Sequence, residues 1–272
     1  MFNDHYKNKM DLQLKGKRAF ISGSTQGIGF AVAEKLLQEG ASVVINGRSE
    51  AKTQQALGDL KKQFPNSNID AIVADFSKVD EVEKLLLVLT DIDILVNNVG
   101  IFGIADFYTT ADKDWYDYFE VNVMSGMRLS KKLLPRMIEK NFGRIIFISS
   151  ESGVNVPENM IHYGMSKAAM SALSNGLSKL TKGTEVTVNT ILGGPTYSDG
   201  VARTVEQIAS SNHLEVESMK NAIITQSNSH ILLQRFIDPV EIANLAVYLS
   251  SPLSIATNGS SLRADSGVLK II

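Results

Sequence analysis

The sequence contains no cysteine. Disulfides, thiolate metal ligands and a cysteine nucleophile are therefore excluded, and a cytoplasmic protein is expected. Net charge is also nearly absent, at −2 for 272 residues, so the chain offers no basic footprint for nucleic acid or an anionic membrane. No apolar run is long enough to span a bilayer, and the polar start lacks the apolar core of a signal peptide.

Short apolar runs alternate with amphipathic segments along almost the entire chain. The runs are uniformly apolar, which is typical of parallel strands covered on both faces. They lie at Arg18–Ser22, Ser42–Asn46, Ile69–Ala74, Ile92–Val96, Arg144–Ser149, Val186–Leu192 and Ser260–Arg263. The helical segments are Ile28–Gln38, Ala51–Phe64, Lys78–Leu89, Trp115–Asn141, Tyr163–Thr181 and Pro239–Leu249. This order predicts an α/β fold with a doubly wound, Rossmann-like sheet of seven parallel strands and helices on both faces.

The periodic pattern begins near Leu12, so residues 1–11 are expected to form an N-terminal extension. Residues 12–272 are then expected to form a single domain. One stretch, 196–236, interrupts the alternation and is rich in Ser, Asn and Gln, yet it keeps spaced apolar positions. It predicts an insertion with one or two short helices. At the carboxyl edge of a parallel sheet, such an insertion is placed to act as a substrate loop or lid.

A glycine-rich turn follows the first predicted strand and leads directly into a helix. Glycines allow a tight turn and let the backbone approach a pyrophosphate at the positive end of that helix. The spacing is Gly-x₃-Gly-x-Gly, which differs from the usual dinucleotide fingerprint, so a simple packing turn is the alternative. A phosphate-binding turn would use Gly23, Ser24, Thr25, Gln26, Gly27, Ile28 and Gly29.

The end of the second strand indicates which dinucleotide binds. NAD sites carry an acidic residue there, whereas this chain has Gly47 followed by Arg48 and Ser49. An arginine beside a hydroxyl suits a 2′-phosphate and predicts NADP(H). The alternative is that Arg48 is a solvated surface charge and either cofactor binds. After the third strand, Asp75 is expected to accept from the adenine amino group and Phe76 to line the ring pocket, with a helix cap as the alternative for Asp75.

Tyr163 and Lys167 are four residues apart, so they share one face of a helix. A lysine ammonium stabilises a phenolate, which brings a tyrosine toward acid/base work at neutral pH. Ser150 ends a strand upstream, where its hydroxyl can polarise a carbonyl. Asn122 lies within a helical segment that disfavours asparagine, and one reason is to hold a water on a proton path. Small residues around Asn98 and Gly100 leave room for a cofactor ring.

These motifs, in this order, resemble the short-chain dehydrogenase/reductase family, in its compact single-domain, 3-oxoacyl reductase-like branch, from Leu12 to Gly267. The resemblance implies an NADP(H)-dependent carbonyl reductase or alcohol dehydrogenase without a metal, acting on a ketone or 3-oxoacyl-type carbonyl. It also implies a homotetramer or homodimer. Catalytic roles fall to Asn122, Ser150, Tyr163 and Lys167. Cofactor contacts are implied for Asn98, Gly100, Tyr163, Lys167, Gly194 and Thr196, with Thr196 reaching the carboxamide.

One departure from the family pattern lies beside this site. Where the family has Pro-Gly after the sixth strand, the chain has Gly193 and Gly194, which is expected to loosen the loop. Two alternatives stay open: an NAD-dependent alcohol dehydrogenase of the same family, and a catalytically silent, cofactor-binding regulatory protein. The four histidines show no metal-ligand spacing. His162 adjoins Tyr163 and is a candidate substrate contact.

Overall fold

The computed structural model describes residues 10–227 and 229–271. Its centre is a parallel sheet of seven strands in the order β3-β2-β1-β4-β5-β6-β7. The strands are β1 Arg18–Ile21, β2 Ser42–Gly47, β3 Ile69–Val73, β4 Ile94–Asn97, β5 Gly143–Ser150, β6 Val186–Gly193 and β7 Ser261–Ala264. The predicted fold class is confirmed. The predicted N-terminal extension, apart from residues 10 and 11, lies outside the described residues.

Helices cover both faces of the sheet. They are α1 Gly27–Gln38, α2 Glu50–Gln63, α3 Val79–Val88, α4 Asp112–Tyr118, α5 Ser125–Glu139, α6 Ile161–Ser178, α7 Asp199–Ser211, α8 Val216–Ser227 and α9 Pro239–Ser250. Short 3₁₀ turns lie at Glu151–Gly153, Lys179–Thr181 and Pro252–Ser254. In the described residues no helix has the length and apolar character that a membrane span requires.

Two apolar cores form because the central strands are buried on both faces. In β1, Ala19 and Ile21 face a core shared with α1 and α9, while Phe20 faces a second core shared with α3, α5 and α6. Alternate side chains of a strand point to opposite faces, so a uniformly apolar strand supplies both cores. After β3 the chain crosses over the sheet to β4, so the strand order reverses at the point between β1 and β4. That switch point is where doubly wound sheets bind ligands.

The long helical segment predicted at Trp115–Asn141 is not one continuous α-helix. A π-helical turn at Phe119–Met124 separates α4 from α5. Asn122 lies within this turn and is fully buried. Single π turns inside helices recur at functional sites, because the wider turn re-aims nearby groups. The spacing of apolar residues predicted a helical segment here, but it could not show that one turn of the helix is wider than the others.

The stretch 196–236 contains the two helices α7 and α8. Their apolar side chains form a small core of their own with the segments that follow α8 and β7. Its buried members are Val205, Ala209, Met219, Ile224, Ile231, Phe236 and Val268. The insertion is therefore a packed unit at the edge of the sheet, and its role as a lid stays a prediction.

Candidate active site

The glycine turn between β1 and α1 has no room for side chains at its key positions. Gly23 and Gly27 adopt φ of +62° and +60°, a region that disfavours residues with a Cβ atom. At Gly29 a Cβ would lie 2.5 Å from Asn98 Nδ2 and 2.7 Å from the Gly23 carbonyl oxygen. The turn therefore presents bare backbone at the start of α1, which is the form a pyrophosphate-binding turn requires.

A frame of buried polar side chains holds this turn against the sheet. The Ser22 hydroxyl accepts from the backbone N–H groups of Asn98 and Val99, both at 3.0 Å. The Asn98 amide donates back to the carbonyl oxygens of Ser22 and Gly23. Asn46, which sequence reasoning missed, accepts from the Gly23 N–H at 3.0 Å and donates to two carbonyl oxygens, one in β3 and one just after it. Asn98 thus acts on the turn itself, from the end of β4.

Position 47, at the end of β2, admits only glycine. A Cβ there would lie 2.4 Å from Thr25 Cγ2 and 2.5 Å from Thr53 Oγ1. The next residue, Arg48, is exposed. Ser49 lies just before α2, and its side chain makes no capping hydrogen bond to that helix. The cationic group at this strand end is therefore free to meet a ligand phosphate.

Asp75 and Phe76 follow β3 but differ from each other in exposure. Burial raises the pKa of Asp75, but hydrogen bonds from Ser77 and the charge of Arg48 outweigh it, so the pKa lies below its usual value. Asp75 therefore stays a carboxylate near Arg48. Phe76 was expected to line an adenine pocket, and its side chain instead lies in the core, 2% exposed. An aromatic side chain that follows a strand can line a pocket or pack in the core, and tertiary packing decides which of the two it does.

Ser150, Tyr163 and Lys167 come together where β5 ends beside α6. Ser150 is the last residue of β5, and Tyr163 and Lys167 lie one turn apart on α6. Lys167 Nζ lies 5.6 Å from the centre of the Tyr163 ring and donates to the Ile148 carbonyl at 2.9 Å. Gly100 lies over this group, since a Cβ there would be 3.4 Å from Lys167 Nζ. Three residues from two elements thus form one cluster.

Burial displaces the pKa values of both ionisable groups in this cluster. Burial and the nearby Glu151 charge raise the pKa of Tyr163, against a hydrogen bond with Ser150 that lowers it. Burial lowers the pKa of Lys167 to about 8, against the Glu151 charge, which raises it. Tyr163 is thus a neutral phenol at physiological pH, and Lys167 is a cation close to its point of deprotonation.

Asn122 uses its side chain to hold the loop after β4. Its Oδ1 accepts from the Ile101 N–H at 2.8 Å, and its Nδ2 donates to the Ile101 carbonyl and to Ser166 Oγ. The expected role was to hold a water on the path to Lys167. These three bonds use both donors and one of the two acceptor sites of the amide, and the role of Asn122 in holding a water stays a prediction.

Gly194 and Thr196 lie in the loop after β6. Gly194 packs against the backbone of Asp265, because a Cβ would lie 2.8 Å from Asp265 Cα. Thr196 is 8% exposed and donates to the Gly194 carbonyl at 2.9 Å. Sequence reasoning missed Ser198, whose Cβ lies 3.3 Å from the Cβ position of Gly27. A hydroxyl from the start of the insertion therefore borders the glycine turn.

His162 belongs to an aromatic group beside the cluster. Its ring meets Tyr118 edge-on at 4.3 Å and Trp115 at 6.0 Å between centres. Burial lowers its pKa, so it is neutral at physiological pH. This environment is that of a packed core histidine. Across the described ranges there is also no group of acidic or histidine side chains arranged to hold a metal ion.

Comparison with known proteins gives a consistent result. The sequence pattern of the short chain dehydrogenase family matches residues 17–209. The chain is 40% identical to an uncharacterized oxidoreductase, YvaG, of Bacillus subtilis (strain 168), over 97% of this chain and 100% of that protein. It is 28% identical to the 3-oxoacyl-[acyl-carrier-protein] reductase FabG of Aquifex aeolicus, over 95% of this chain and 100% of the relative.

Solved structures agree with these sequence matches. L-sorbose reductase from Gluconobacter frateurii, complexed with NADPH and L-sorbose, superposes with a TM-score of 0.90 and 29% identity, over 97% of this chain and 100% of that one. A variant of actinorhodin polyketide ketoreductase with NADPH gives a TM-score of 0.85 and 26% identity, over 94% and 98% of the two chains. With its fold, its glycine turn and its serine, tyrosine and lysine cluster, the chain belongs to the short-chain dehydrogenase family.

Proposed function

We propose that the chain is an NADP(H)-dependent oxidoreductase that interconverts a ketone or 3-oxoacyl-type carbonyl and a secondary alcohol, with Tyr163 as the acid/base. The cluster of Ser150, Tyr163 and Lys167 beside Gly100 is the observation that carries this proposal. It lies at the carboxyl edge of the sheet, on the same edge as the glycine turn. A cofactor bound at the turn and a carbonyl bound at the cluster would therefore be neighbours.

The chain's own groups divide the proton chemistry. Tyr163 keeps its proton at neutral pH, because burial and Glu151 raise its pKa, so it is the proton donor in reduction. Ser150 orients the substrate carbonyl. Lys167 stabilises the phenolate of Tyr163 by its positive charge and would bind the ribose beside the nicotinamide. Asn122 holds the loop after β4 by its bonds to Ile101.

The glycine turn fits a dinucleotide because side chains are excluded at Gly23, Gly27 and Gly29. When bound there, NADPH supplies the hydride that reduces the carbonyl carbon. Arg48 is the group that would meet the 2′-phosphate, and Asp75 would accept from the adenine amino group. The NADPH complexes of L-sorbose reductase and of the polyketide ketoreductase support this choice of cofactor, and the FabG relatives support a carbonyl substrate.

Fluorescence titration with NADPH and with NADH tests the cofactor assignment. NADPH is expected to bind at least about tenfold more tightly, the effect of one charge-assisted phosphate contact. Arg48→Ala should remove that advantage and leave NADH binding unchanged. Arg136→Ala, which removes an exposed arginine on α5, is the matched control and should change neither. Equal binding of both cofactors to the unaltered protein would favour the NAD-dependent alternative.

Reduction assays test the role of Tyr163. The protein should oxidise NADPH with a ketone or a 3-oxoacyl thioester, and Tyr163→Phe should lower kcat by 100-fold or more while NADPH still binds. Cofactor binding without turnover of any carbonyl would favour the regulatory alternative. The cytoplasmic location and the homotetrameric or homodimeric state stay predictions.

A further inference from the structure

Glu151 is an acidic residue beside Ser150 to which the proposed mechanism assigns no contact with the substrate. It follows Ser150 directly and begins the 3₁₀ turn Glu151–Gly153. Its Oε2 accepts from the Ser150 hydroxyl, and its Oε1 accepts from the Ser152 hydroxyl at 3.2 Å. The carboxylate is therefore in direct contact with the group that would orient a carbonyl.

The position of Glu151 is held from two sides. At Gly153 a Cβ would lie 2.8 Å from the Ala168 backbone nitrogen, so the turn lies directly on the backbone of α6. At Gly164, on α6, a Cβ would lie 2.7 Å from the Ser152 carbonyl oxygen. These close approaches lock the turn to the helix that carries Tyr163 and Lys167, so Glu151 has little freedom to leave the site.

The carboxylate lacks a cationic partner at ion-pair distance within 10–227 and 229–271. Burial raises the pKa of Glu151, while hydrogen bonds from Ser150 and Ser152 lower it. Its charge in turn raises the pKa of both Tyr163 and Lys167. A half-buried carboxylate without a cation needs compensating donors, and the Ser150 and Ser152 hydroxyls supply them.

Binding of a carbonyl changes the donors available to Glu151. The Ser150 hydroxyl has one proton, which it gives to Glu151 Oε2 in the structure. When that proton turns to a substrate carbonyl, Glu151 Oε2 loses this donor in a half-buried position. A charged acceptor that loses a donor gains from a replacement, and a substrate can supply one from the space next to its carbonyl oxygen. A hydroxyl on the adjacent carbon of the substrate has that position and that proton.

We propose that Glu151 accepts a hydrogen bond from a substrate hydroxyl on the carbon next to the reacting carbonyl, and so selects α-hydroxy ketones over plain ketones. In the reverse direction the corresponding substrate is a vicinal diol. This inference rests on the proposed carbonyl reduction and narrows its substrate class. The same carboxylate repels substrates that carry a carboxylate near the carbonyl, such as free 3-oxo acids.

The test compares two ketones of equal size. Hydroxyacetone and butanone differ only in that a hydroxyl of the first replaces a methyl group of the second. With NADPH, the unaltered enzyme is expected to show a kcat/KM for hydroxyacetone at least about tenfold higher, since a hydrogen bond to a buried charge gives discrimination of that order. Glu151→Met, which has similar length and no carboxylate, should bring the two values within about twofold of each other.

Two further variants control for misfolding and for a general effect of charge. Glu151→Gln is nearly isosteric and should reduce the preference partly, because its amide keeps one accepting oxygen. Glu158→Gln removes an exposed acidic residue from the loop before α6 and should leave the preference unchanged. The ratio of the two kcat/KM values is the decisive readout, because loss of folded enzyme lowers both values equally and leaves the ratio as it was.

The outcomes separate this inference from the proposed function. Similar turnover of both ketones by the unaltered enzyme, or an equal fall for both in the Glu151 variants, overturns the selection by Glu151 and leaves carbonyl reduction intact. NADPH binding without turnover of either ketone or of a 3-oxoacyl thioester overturns the proposed function, and this inference with it.

Discussion

Burial of the charged Lys167 side chain destabilises the folded protein. It is 5% exposed, and burial lowers its pKa from 10.5 to about 8, so the ammonium form is disfavoured in the folded protein. Between these pH values the unfolded chain binds more protons than the folded one. The unfolding free energy therefore rises with pH across that window, and the full cost applies below pH 8. A shift of this size corresponds to roughly 3 kcal/mol.

Removing the charge of Lys167 should therefore stabilise the fold while it abolishes the chemistry. For Lys167→Met we expect an unfolding free energy about 1–3 kcal/mol higher near neutral pH, a gain reduced by the lost bond to the Ile148 carbonyl. The difference should shrink as the pH approaches 10. Urea unfolding of the cofactor-free protein at several pH values measures it. Lys132→Met, at an exposed position of α5, is the control, and a pH-independent difference would contradict the explanation.

At the scale of single residues, the sequence allowed some positions to be predicted and left others hidden. Ser150, Tyr163 and Lys167 could be assigned to one cluster because strand end and helix spacing put them on the same edge. Ser198 and Asn46 could not, because their contacts with the glycine turn join segments far apart in the chain. Contacts of this kind depend on tertiary packing, which leaves no local sequence signal.

At the scale of elements, the strands were the most predictable part. Uniformly apolar runs identify buried parallel strands, and the predicted bounds differ from the observed ones by at most two residues at either end. The α4–α5 segment was predicted as one helix because a π turn keeps the apolar periodicity nearly intact. Within that turn Asn122 bonds to Ile101 in the loop after β4, a tertiary contact that the periodicity of the segment does not encode.

Gly29 in α1 and Gly58 in α2 make a matched test of the turn. Gly29→Ala should weaken NADPH binding at least tenfold and lower the unfolding free energy by about 1–3 kcal/mol, because the methyl group has no space beside Asn98. Gly58→Ala, inside α2 with nothing within 4 Å of its Cβ position, should raise the unfolding free energy by about 0.5–1 kcal/mol. Cofactor titration and urea unfolding of both variants measure this. Unchanged NADPH affinity in Gly29→Ala would rule out the turn as the dinucleotide site.

At the scale of the whole molecule, the two ends of the sheet have different tasks. The carboxyl edge carries the glycine turn, the catalytic cluster and the insertion, whose Ser198 borders Gly27. The opposite edge contains Arg144, a cation that is 1% exposed. The groups of the proposed site thus lie at the carboxyl edge, whereas at the opposite edge Arg144 joins separate parts of the chain. Division of this kind lets the site vary without loss of the fold.

Arg144 is the group at that opposite edge whose loss should affect the whole fold. Its guanidinium donates to the carbonyl oxygens of Ser251, Gly143 and Glu185, at 2.6–3.0 Å, and so joins three distant parts of the chain. Burial lowers its pKa to about 10, with the Glu185 charge opposing, so it remains a cation at neutral pH.

Arg144→Ala should lower the unfolding free energy by about 3 kcal/mol or more, because it removes three hydrogen bonds to carbonyl groups and opens a cavity. Arg136→Ala, which removes an exposed arginine paired only with surface carboxylates, should change the unfolding free energy by less than about 1 kcal/mol. Urea unfolding measures both. NADPH affinity of the folded fraction should be unchanged in each variant, since neither arginine lies at the carboxyl edge. A cost for Arg144→Ala as small as that of the surface control would mean that water replaces the guanidinium, and that this edge depends on the apolar cores alone.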